Sequence, residues 1–188
     1  GEIVMGSEGG NPLETQNMIA SDSMCRTIRD AADNPRIKAI VFRINSPGGS
    51  PLASELIFQE LKRAARMKPV VASVGGMAAS GGYYIACGCD AIVAHASSLV
   101  GSIGVVAVVP DMTGLMDKVG VSVDPVEKGR YADFLTPYEP LKAEHESLLR
   151  QAMLDVYAVF KDRVGKARDM TPDQVESLAR GRIYSGSR

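Results

Sequence analysis

Short apolar runs rich in β-branched residues alternate along this chain with stretches of helical periodicity. Buried strands are predicted over residues 39–44, 70–74, 91–94 and 105–109. Amphipathic helices are predicted over residues 21–32 and 52–65, where apolar side chains recur at helical spacing. Because strands and helices alternate, the pattern predicts an α/β fold with parallel strand pairing.

The last third of the chain is mainly helical in its pattern. Residues 141–164 predict one long helix, with an apolar stripe made of Leu148, Leu149, Ala152, Val156, Val159, Phe160 and Val164. A short final helix is predicted to begin at Thr171 and Pro172, which suit an N-cap and a first helical position. No repeat or low-complexity linker interrupts the sequence, so a single domain is predicted over residues 1–188. The abrupt ends predict a fragment of a longer chain.

Composition narrows the classes of function. The 188 residues are 45% hydrophobic and 23% charged, which is typical of a globular domain with a substantial core. With 21 basic and 22 acidic side chains, no net charge attracts nucleic acid, and no apolar run approaches the ~20 residues that cross a bilayer. The three cysteines and two histidines lack metal-binding or redox spacing, so neither a metal nor another cofactor is expected.

The stretch Asn-Ser-Pro-Gly-Gly-Ser at residues 45–50 connects a predicted strand to a predicted helix. Adjacent glycines let backbone N–H groups approach a ligand, and the N-terminus of the following helix adds a positive dipole. An oxyanion hole can be built from such main-chain groups. Taken alone, however, this stretch is more simply interpreted as a turn that only changes the direction of the chain.

A second glycine-rich stretch, residues 75–84, also follows a predicted strand and opens a helix. It contains Ser80 among alanines and glycines, which leave room for an acyl group beside the hydroxyl. The alternative is a serine that only caps the helix. The presence of two such turns favours a catalytic role, because one turn can supply a nucleophile and the other an oxyanion hole.

A nucleophilic serine requires a base, and the two histidines are weak candidates. His95 has no acidic neighbour in the sequence. His145 lies between Glu144 and Glu146 and is expected to be a solvated residue on the polar side of the long helix. The remaining option is a lysine whose pKa is lowered by burial, so that its neutral amine accepts the hydroxyl proton.

Three ordered motifs now combine into a resemblance: Asn-Ser-Pro-Gly-Gly at residues 45–49, Ala-Ala-Ser-Gly-Gly-Tyr-Tyr at 78–84, and Gly-Ser-Ile-Gly-Val at 101–105. Together they resemble the signal peptide peptidase A family of serine-lysine peptidases, and the resemblance continues to residues 181–186. It implies the ClpP/crotonase fold, an α/β spiral of repeated β-β-α units with parallel sheets and a long C-terminal helix.

The resemblance also implies roles for individual residues. Ser80 corresponds to the nucleophile, and the backbone N–H groups of Gly49 and Gly81 correspond to the oxyanion hole. Ser102 matches the family serine that orients the general-base lysine. On its own, Ser102 would pass as a turn residue between two glycines.

The lysine itself is where this chain departs from the family. Short members carry it in a segment Ser-Gly-x-x-Lys-Asp, and the matching residues 128–133 are Lys-Gly-Arg-Tyr-Ala-Asp, with Ala132 at the lysine position. Lys128 lies about 10 Å away along an extended chain, which is too far for it to substitute. The base therefore comes from another domain, was replaced deliberately, or was lost with the activity. The first explanation fits the family's long tandem members, because this chain resembles their serine-bearing C-terminal half.

The implied function is a serine endopeptidase that cleaves signal peptides and other apolar peptides through an acyl-enzyme on Ser80. Implied partners are further copies of the chain and a lysine-bearing N-terminal domain. The catalytic part is expected outside the cytoplasm, associated with a membrane through a segment not among these residues. Two alternatives stay open: an inactive scaffold domain of the same fold, and a crotonase-type acyl-CoA enzyme, which would need a carboxylate near the oxyanion hole.

Overall fold

The computed structural model describes residues 1–7 and 18–187, which form an α/β arrangement. The strands are β1 (Glu2–Val4), β2 (Met18–Ala20), β3 (Ile40–Ser46), β4 (Val70–Ala79), β5 (Ala91–Ala94), β6 (Leu99–Gly101) and β7 (Ile183–Ser185). The helices are α1 (Ser21–Asp33), α2 (Pro51–Ala65), α3 (Gly81–Ala86), α4 (Thr113–Val119), α5 (Ala143–Arg168) and α6 (Pro172–Leu178).

The chain divides into two compact units. Unit 1 consists of Gly1–Gly104 and Tyr157–Arg188, and unit 2 consists of Val105–Val156. The assignment of residues 1–188 to a single peptidase domain stays a prediction.

Unit 1 is built on a five-stranded sheet in which β4 is the longest strand. Strands β3, β5 and β6 all pair with β4 in parallel; β5 pairs with its first half and β6 with its last residues. Strand β7 pairs antiparallel with β6, while β1 and β2 form a separate parallel pair. Because β3, β4 and β6 are parallel, their carboxyl ends lie at the same edge of the sheet, where ligand sites of α/β folds are found.

The core of unit 1 forms where α1 and α2 cover this sheet. Helix α2 buries Ile57 and Leu61 completely, against Ile44 of β3 and Val74 of β4. Apolar spacing predicted this helix but not all of its buried face: Leu61 is buried as expected, whereas Leu52 and Leu56, assigned to the same apolar stripe, are 60% and 40% exposed. The sheet edge is therefore supported by a well-packed helix layer.

The strand predictions were largely confirmed. Three predicted strands correspond to β3, β4 and β5. Strand β4, however, continues to Ala79 through Gly75 and Gly76, which the sequence indicated as a turn. The prediction of a strand over residues 105–109 was wrong: within the described residues this segment pairs with no other strand, and an unpaired strand leaves its backbone groups unsatisfied.

The long helix is present as α5, four residues longer at its C-terminal end than predicted. Its apolar stripe is only partly buried: Phe160 and Val164 are buried, whereas Leu148 and Val159 are 45% and 44% exposed. Within the described part of the chain, no helix has both the length and the apolar character required to span a membrane.

Helix α6 begins as predicted, with Thr171 as N-cap and Pro172 at the first helical position. A capping box is present at its N-terminus: the Gln174 N–H donates to Thr171 Oγ1, and the Thr171 N–H donates to Gln174 Oε1. We expect Thr171→Ala to lower the free energy of unfolding by about 1 kcal/mol, measured by urea denaturation.

The control for this substitution is Thr27→Ala. The Thr27 hydroxyl donates to the Ser23 carbonyl one turn earlier within α1, a bond that contributes little to helix stability. Thr27→Ala should therefore change the free energy of unfolding by less than Thr171→Ala. Equal losses in the two variants would contradict the importance of the capping box.

Candidate active site

Ser80 lies between the end of β4 and the first residue of α3, at the carboxyl edge of the sheet. Its backbone has φ 50° and ψ −122°, a conformation that non-glycine residues rarely adopt. Such a conformation costs about 1–3 kcal/mol and persists only when its surroundings enforce it. Here the Ser80 N–H donates to the Gly101 carbonyl over 2.9 Å, and the Ser80 carbonyl accepts from the N–H groups of Tyr83 and Tyr84.

The Ser80 side chain does not act as a helix cap. Ser80 occupies the N-cap position of α3, yet its hydroxyl makes no hydrogen bond to the first turn. The side chain is half-buried, and in the described part of the chain no hydrogen bond connects it to a histidine or a lysine. The alternative in which Ser80 merely caps a helix is therefore not what the geometry supports.

The Gly48–Gly49 turn lies directly against Ser80. A Cβ added at Gly48 would lie 2.8 Å from the Gly81 nitrogen and 3.1 Å from Ser80 Oγ, so only glycine fits there. Both glycines have positive φ, 114° and 146°. The turn thus brings backbone, with no side chain in between, to the serine hydroxyl.

Two neighbours hold this turn in place. Ser46 Oγ accepts the Gly48 N–H over 3.1 Å. Ile3 of β1 forms a parallel bridge to Gly49, in which the Ile3 N–H donates to the Gly48 carbonyl and the Ser50 N–H donates to the Ile3 carbonyl, each over 2.8 Å. The N–H of Gly49 takes no part in this bridge.

Gly81 is the first residue of α3, where a backbone N–H has no partner within the helix. A Cβ at Gly81 would lie 3.3 Å from the Gly49 nitrogen and 2.5 Å from Ser54 Oγ. The N-terminal ends of α2 and α3 therefore meet at Gly49 and Gly81, next to the serine. Two backbone N–H groups this close together, beside a serine hydroxyl, are the kind of donors that stabilise the negative charge on a carbonyl oxygen under attack.

Ser102 follows β6 at the same edge of the sheet. The register pairs Ala79 with Gly101, so Ser80 and Ser102 occupy equivalent positions after neighbouring strands. Ser102 also has positive φ, 53°, and its N–H donates to the Arg182 carbonyl over 2.7 Å. The structure thus brings together Ser80, Gly49, Gly81 and Ser102, which the sequence singled out from separate motifs.

Ala132 belongs to unit 2, where it is exposed in a segment of turns. Lys128, just before these turns, is also exposed. The next residue, Asp133, is buried and forms an ion pair with Lys142. This hydrogen bond to Lys142 outweighs desolvation and lowers the pKa of Asp133 below its ordinary value.

The prediction that His145 is a solvated surface residue was wrong. His145 is only 2% exposed, its ring packs against those of Tyr131 and Phe134, and its Nε2 lies 3.6 Å from Asp133 Oδ1. Within unit 2, the start of α5 packs against the turns that contain Ala132. His145 is therefore buried although its two sequence neighbours are glutamates. His95, by contrast, is exposed, with Nδ1 2.8 Å from Ser97 Oγ.

The sequence did not indicate a network that joins three helices of unit 1. The Tyr84 hydroxyl of α3 donates to Glu55 Oε2 of α2, and Arg163 of α5 donates from Nη2 to Glu55 Oε1 over 2.8 Å. Burial raises the pKa of Glu55, but hydrogen bonds from Arg163, Gln59 and Tyr84 outweigh it and lower the pKa overall. No regular spacing links these positions in the sequence.

The three cysteines have free thiols, and two of them are part of the buried apolar interior. Cys87 and Cys89 are buried, and burial raises the pKa of each thiol to about 12; Cys25 is half-buried. Among residues 1–7 and 18–187, no group of three or more His, Cys, Asp and Glu side chains is arranged to hold a metal ion.

The fold is that of ClpP. The chain superposes on a mutant ClpP1 from Listeria monocytogenes with a TM-score of 0.58 and 12% sequence identity, over 97% of this chain and 82% of that one. This likeness confirms the predicted ClpP/crotonase-like α/β class.

Sequence comparison defines the class of protein more closely. The chain is 39% identical over 177 residues to "Serine protease SPPA, chloroplastic" of Arabidopsis thaliana, and 41% identical over 174 residues to "Protease 4" of Salmonella typhi. These matches cover 93% and 92% of this chain but only 26% and 28% of those proteins.

The family model of peptidase family S49 matches residues 62–188. The chain therefore belongs to peptidase family S49, and its class is that of the serine peptidases. It spans about a quarter of the length of these two relatives.

Proposed function

We propose that this chain is the serine-bearing part of an S49 endopeptidase in which Ser80 is the nucleophile. The proposal depends chiefly on one observation: Ser80 occupies a strained N-cap position, and its hydroxyl caps nothing but borders the Gly48–Gly49 turn. A serine that only capped α3 would bond to the first turn and would not require φ 50°.

The reaction follows from these groups. Ser80 Oγ attacks the scissile carbonyl carbon while its proton passes to a neutral lysine amine. The N–H groups of Gly49 and Gly81 stabilise the oxyanion of the tetrahedral intermediate. When the intermediate collapses, the C–N bond breaks and the leaving amine takes the proton from the lysine ammonium. Water then attacks the ester on Ser80, with the same lysine as base, and releases the acid product.

The lysine is proposed to come from another domain or chain, because Ala132 occupies the position that matches the family lysine. Ser102 would accept a hydrogen bond from that lysine and orient it, which its place beside Ser80 after neighbouring strands supports. The coverage of about a quarter of the long relatives is compatible with a lysine-bearing half elsewhere in the protein.

The substrates proposed are apolar peptides of the signal-peptide type, cut by a homo-oligomer that is attached to a membrane through another segment and acts outside the cytoplasm. Support for assembly comes from unit 2, which exposes many apolar side chains; Val106 and Val108, for example, are 85% and 87% exposed. Large exposed apolar surfaces often mark sites that partners or ligands cover.

A scaffold without catalytic activity is the second candidate, and Ala132 is the observation that favours it. If the lysine was lost rather than relocated, Ser80 would be a remnant. A crotonase-type activity has less support, because the carboxylate of Glu55, on the helix that follows the glycine turn, is already bonded to Tyr84 and Arg163.

The test compares residues 1–188 alone with the full-length protein, using a fluorogenic apolar peptide and a serine-reactive fluorophosphonate. We expect turnover and rapid labelling of Ser80 in the full-length protein, and neither in the isolated chain. Full activity of the isolated chain would disprove a lysine supplied by another domain of the protein. Inactivity of the full-length protein toward both reagents would favour the scaffold.

A further inference from the structure

The two proposed oxyanion donors belong to different helices, and their spacing must be fixed by something other than the chain between them. Gly49 lies two residues before the first residue of α2, Pro51, and Gly81 is the first residue of α3. Helix α3 has only six residues, too few to hold a fixed orientation without external contacts. A shift of either helix along its axis would separate the two N–H groups.

Glu55 is placed to prevent such a shift. It lies in the second turn of α2 and accepts the hydroxyl of Tyr84, which lies in the first turn of α3. Tyr84 is only 6% exposed, and its N–H donates to the Ser80 carbonyl over 2.9 Å. One carboxylate therefore connects α2 to the residue that closes the first turn after Ser80.

Arg163 completes this connection from α5. Its Nη2 and Nε donate to the two oxygens of Glu55 over 2.8 and 3.4 Å, and its guanidinium lies 5.3 Å from the centre of the Phe58 ring. The Tyr84 ring packs edge-on to Phe58 and against Phe160, with ring centres 5.5 and 4.9 Å apart. Aromatic packing fixes the ring, and a charge-assisted, bidentate pair fixes the carboxylate.

We propose that Glu55, held by Arg163 and bonded to Tyr84, is a positioning residue that sets the distance between the Gly49 and Gly81 N–H groups. In this proposal Glu55 acts through Tyr84 and the ends of the two helices, not through contact with the substrate. Its effect is on the transition state, because misplacing an oxyanion donor weakens stabilisation of the developing charge more than it weakens substrate binding. This inference rests on the proposed function of Ser80.

The experiment uses the full-length protein with Glu55→Gln, which keeps the size of the side chain but removes its charge. We expect kcat to fall about 10- to 100-fold with KM changed by less than about twofold, as displacement of catalytic groups produces. Affinity for a peptide boronate, which forms a tetrahedral adduct with the serine, should fall in parallel with kcat.

Glu60→Gln is the matched control. Glu60 lies on the same helix and is paired with two arginines, Arg29 of α1 and Arg63 of α2, rather than with a residue of α3. Its side chain is 10% exposed, less than the 27% of Glu55, so Glu60→Gln is at least as severe a test of lost stability. This variant should lose stability without losing kcat. If both variants lower the melting temperature and neither lowers kcat, Glu55 is merely structural and the inference is overturned.

Tyr84→Phe provides a second measurement if Glu55→Gln fails to fold. It removes only the hydroxyl and keeps the ring packing, so kcat should fall in the same sense but less. Unchanged kcat in this variant would also overturn the inference. Failure of the proposed function is distinguishable, because then the unmodified full-length protein itself would lack Ser80-dependent turnover.

Discussion

Ser80→Ala in the full-length protein is expected to lower peptide turnover by about 10³-fold or more and to abolish labelling by a fluorophosphonate. The hydroxyl is the only group of Ser80 that the proposed reaction uses, and no cap or side-chain hydrogen bond depends on it in the described residues. The fold should therefore persist, with a circular dichroism spectrum like that of the unmodified protein.

Ser98→Ala is the control for this substitution. Ser98 is buried and precedes β6, and its hydroxyl donates to the Gly75 carbonyl over 2.6 Å, so its loss should cost stability but leave labelling intact. Ser80→Gly adds a further check. It should be as inactive as Ser80→Ala and at least as stable, because glycine adopts φ 50° without strain. Persistent turnover in Ser80→Ala would refute the nucleophile assignment.

Gly48→Ala should lower kcat by roughly 100-fold or more, because the added methyl group would enter the space between Ser80 Oγ and the Gly81 nitrogen. The positive φ of Gly48 adds strain, so the free energy of unfolding should fall by about 1 kcal/mol or more. Steady-state kinetics and urea denaturation measure the two effects separately.

Gly114→Ala is the matched glycine control. Gly114 lies in α4, and a Cβ there would meet no atom within 4 Å. Because alanine favours helix more than glycine does, this variant should be fully active and no less stable. The steric argument for Gly48 would fail if its alanine variant kept the kcat of the Gly114 variant.

Much of the fold was predictable because apolar residues recur along the sequence at spacings typical of helices and strands. Helix α2 and strand β3 were found from apolar positions that recur with the spacing of their structures. The extension of β4 through Gly75 and Gly76 was missed because glycine is common in turns. The local sequence gives no sign that β3 and β6 pair with the end of this strand. The strand wrongly predicted over residues 105–109 has the same cause. Its β-branched composition favours a strand, but composition does not reveal whether a neighbouring strand is available for pairing.

The residues of the candidate site could be identified from the sequence, but the side-chain contacts around them could not. Ser80 and the glycine turns were singled out because three ordered motifs together resemble a known family; each turn alone fits a simple change of direction or a helix cap equally well. Glu55 and Arg163, by contrast, are 108 positions apart and are ordinary charged residues on helices, so only tertiary packing brings them together. His145 was misjudged for the same reason, since its burial depends on a turn segment that sequence neighbours do not reveal.

The bridge between Ile3 and Gly49 has a mechanical consequence. Strand β1 has three residues and shares backbone hydrogen bonds with both sides of the Gly48–Gly49 turn. A force or displacement applied to the amino-terminal strand is therefore transmitted to the turn through peptide groups rather than through flexible side chains. We therefore expect that holding or displacing β1 shifts the Gly48–Gly49 turn and, with it, one side of the proposed oxyanion hole.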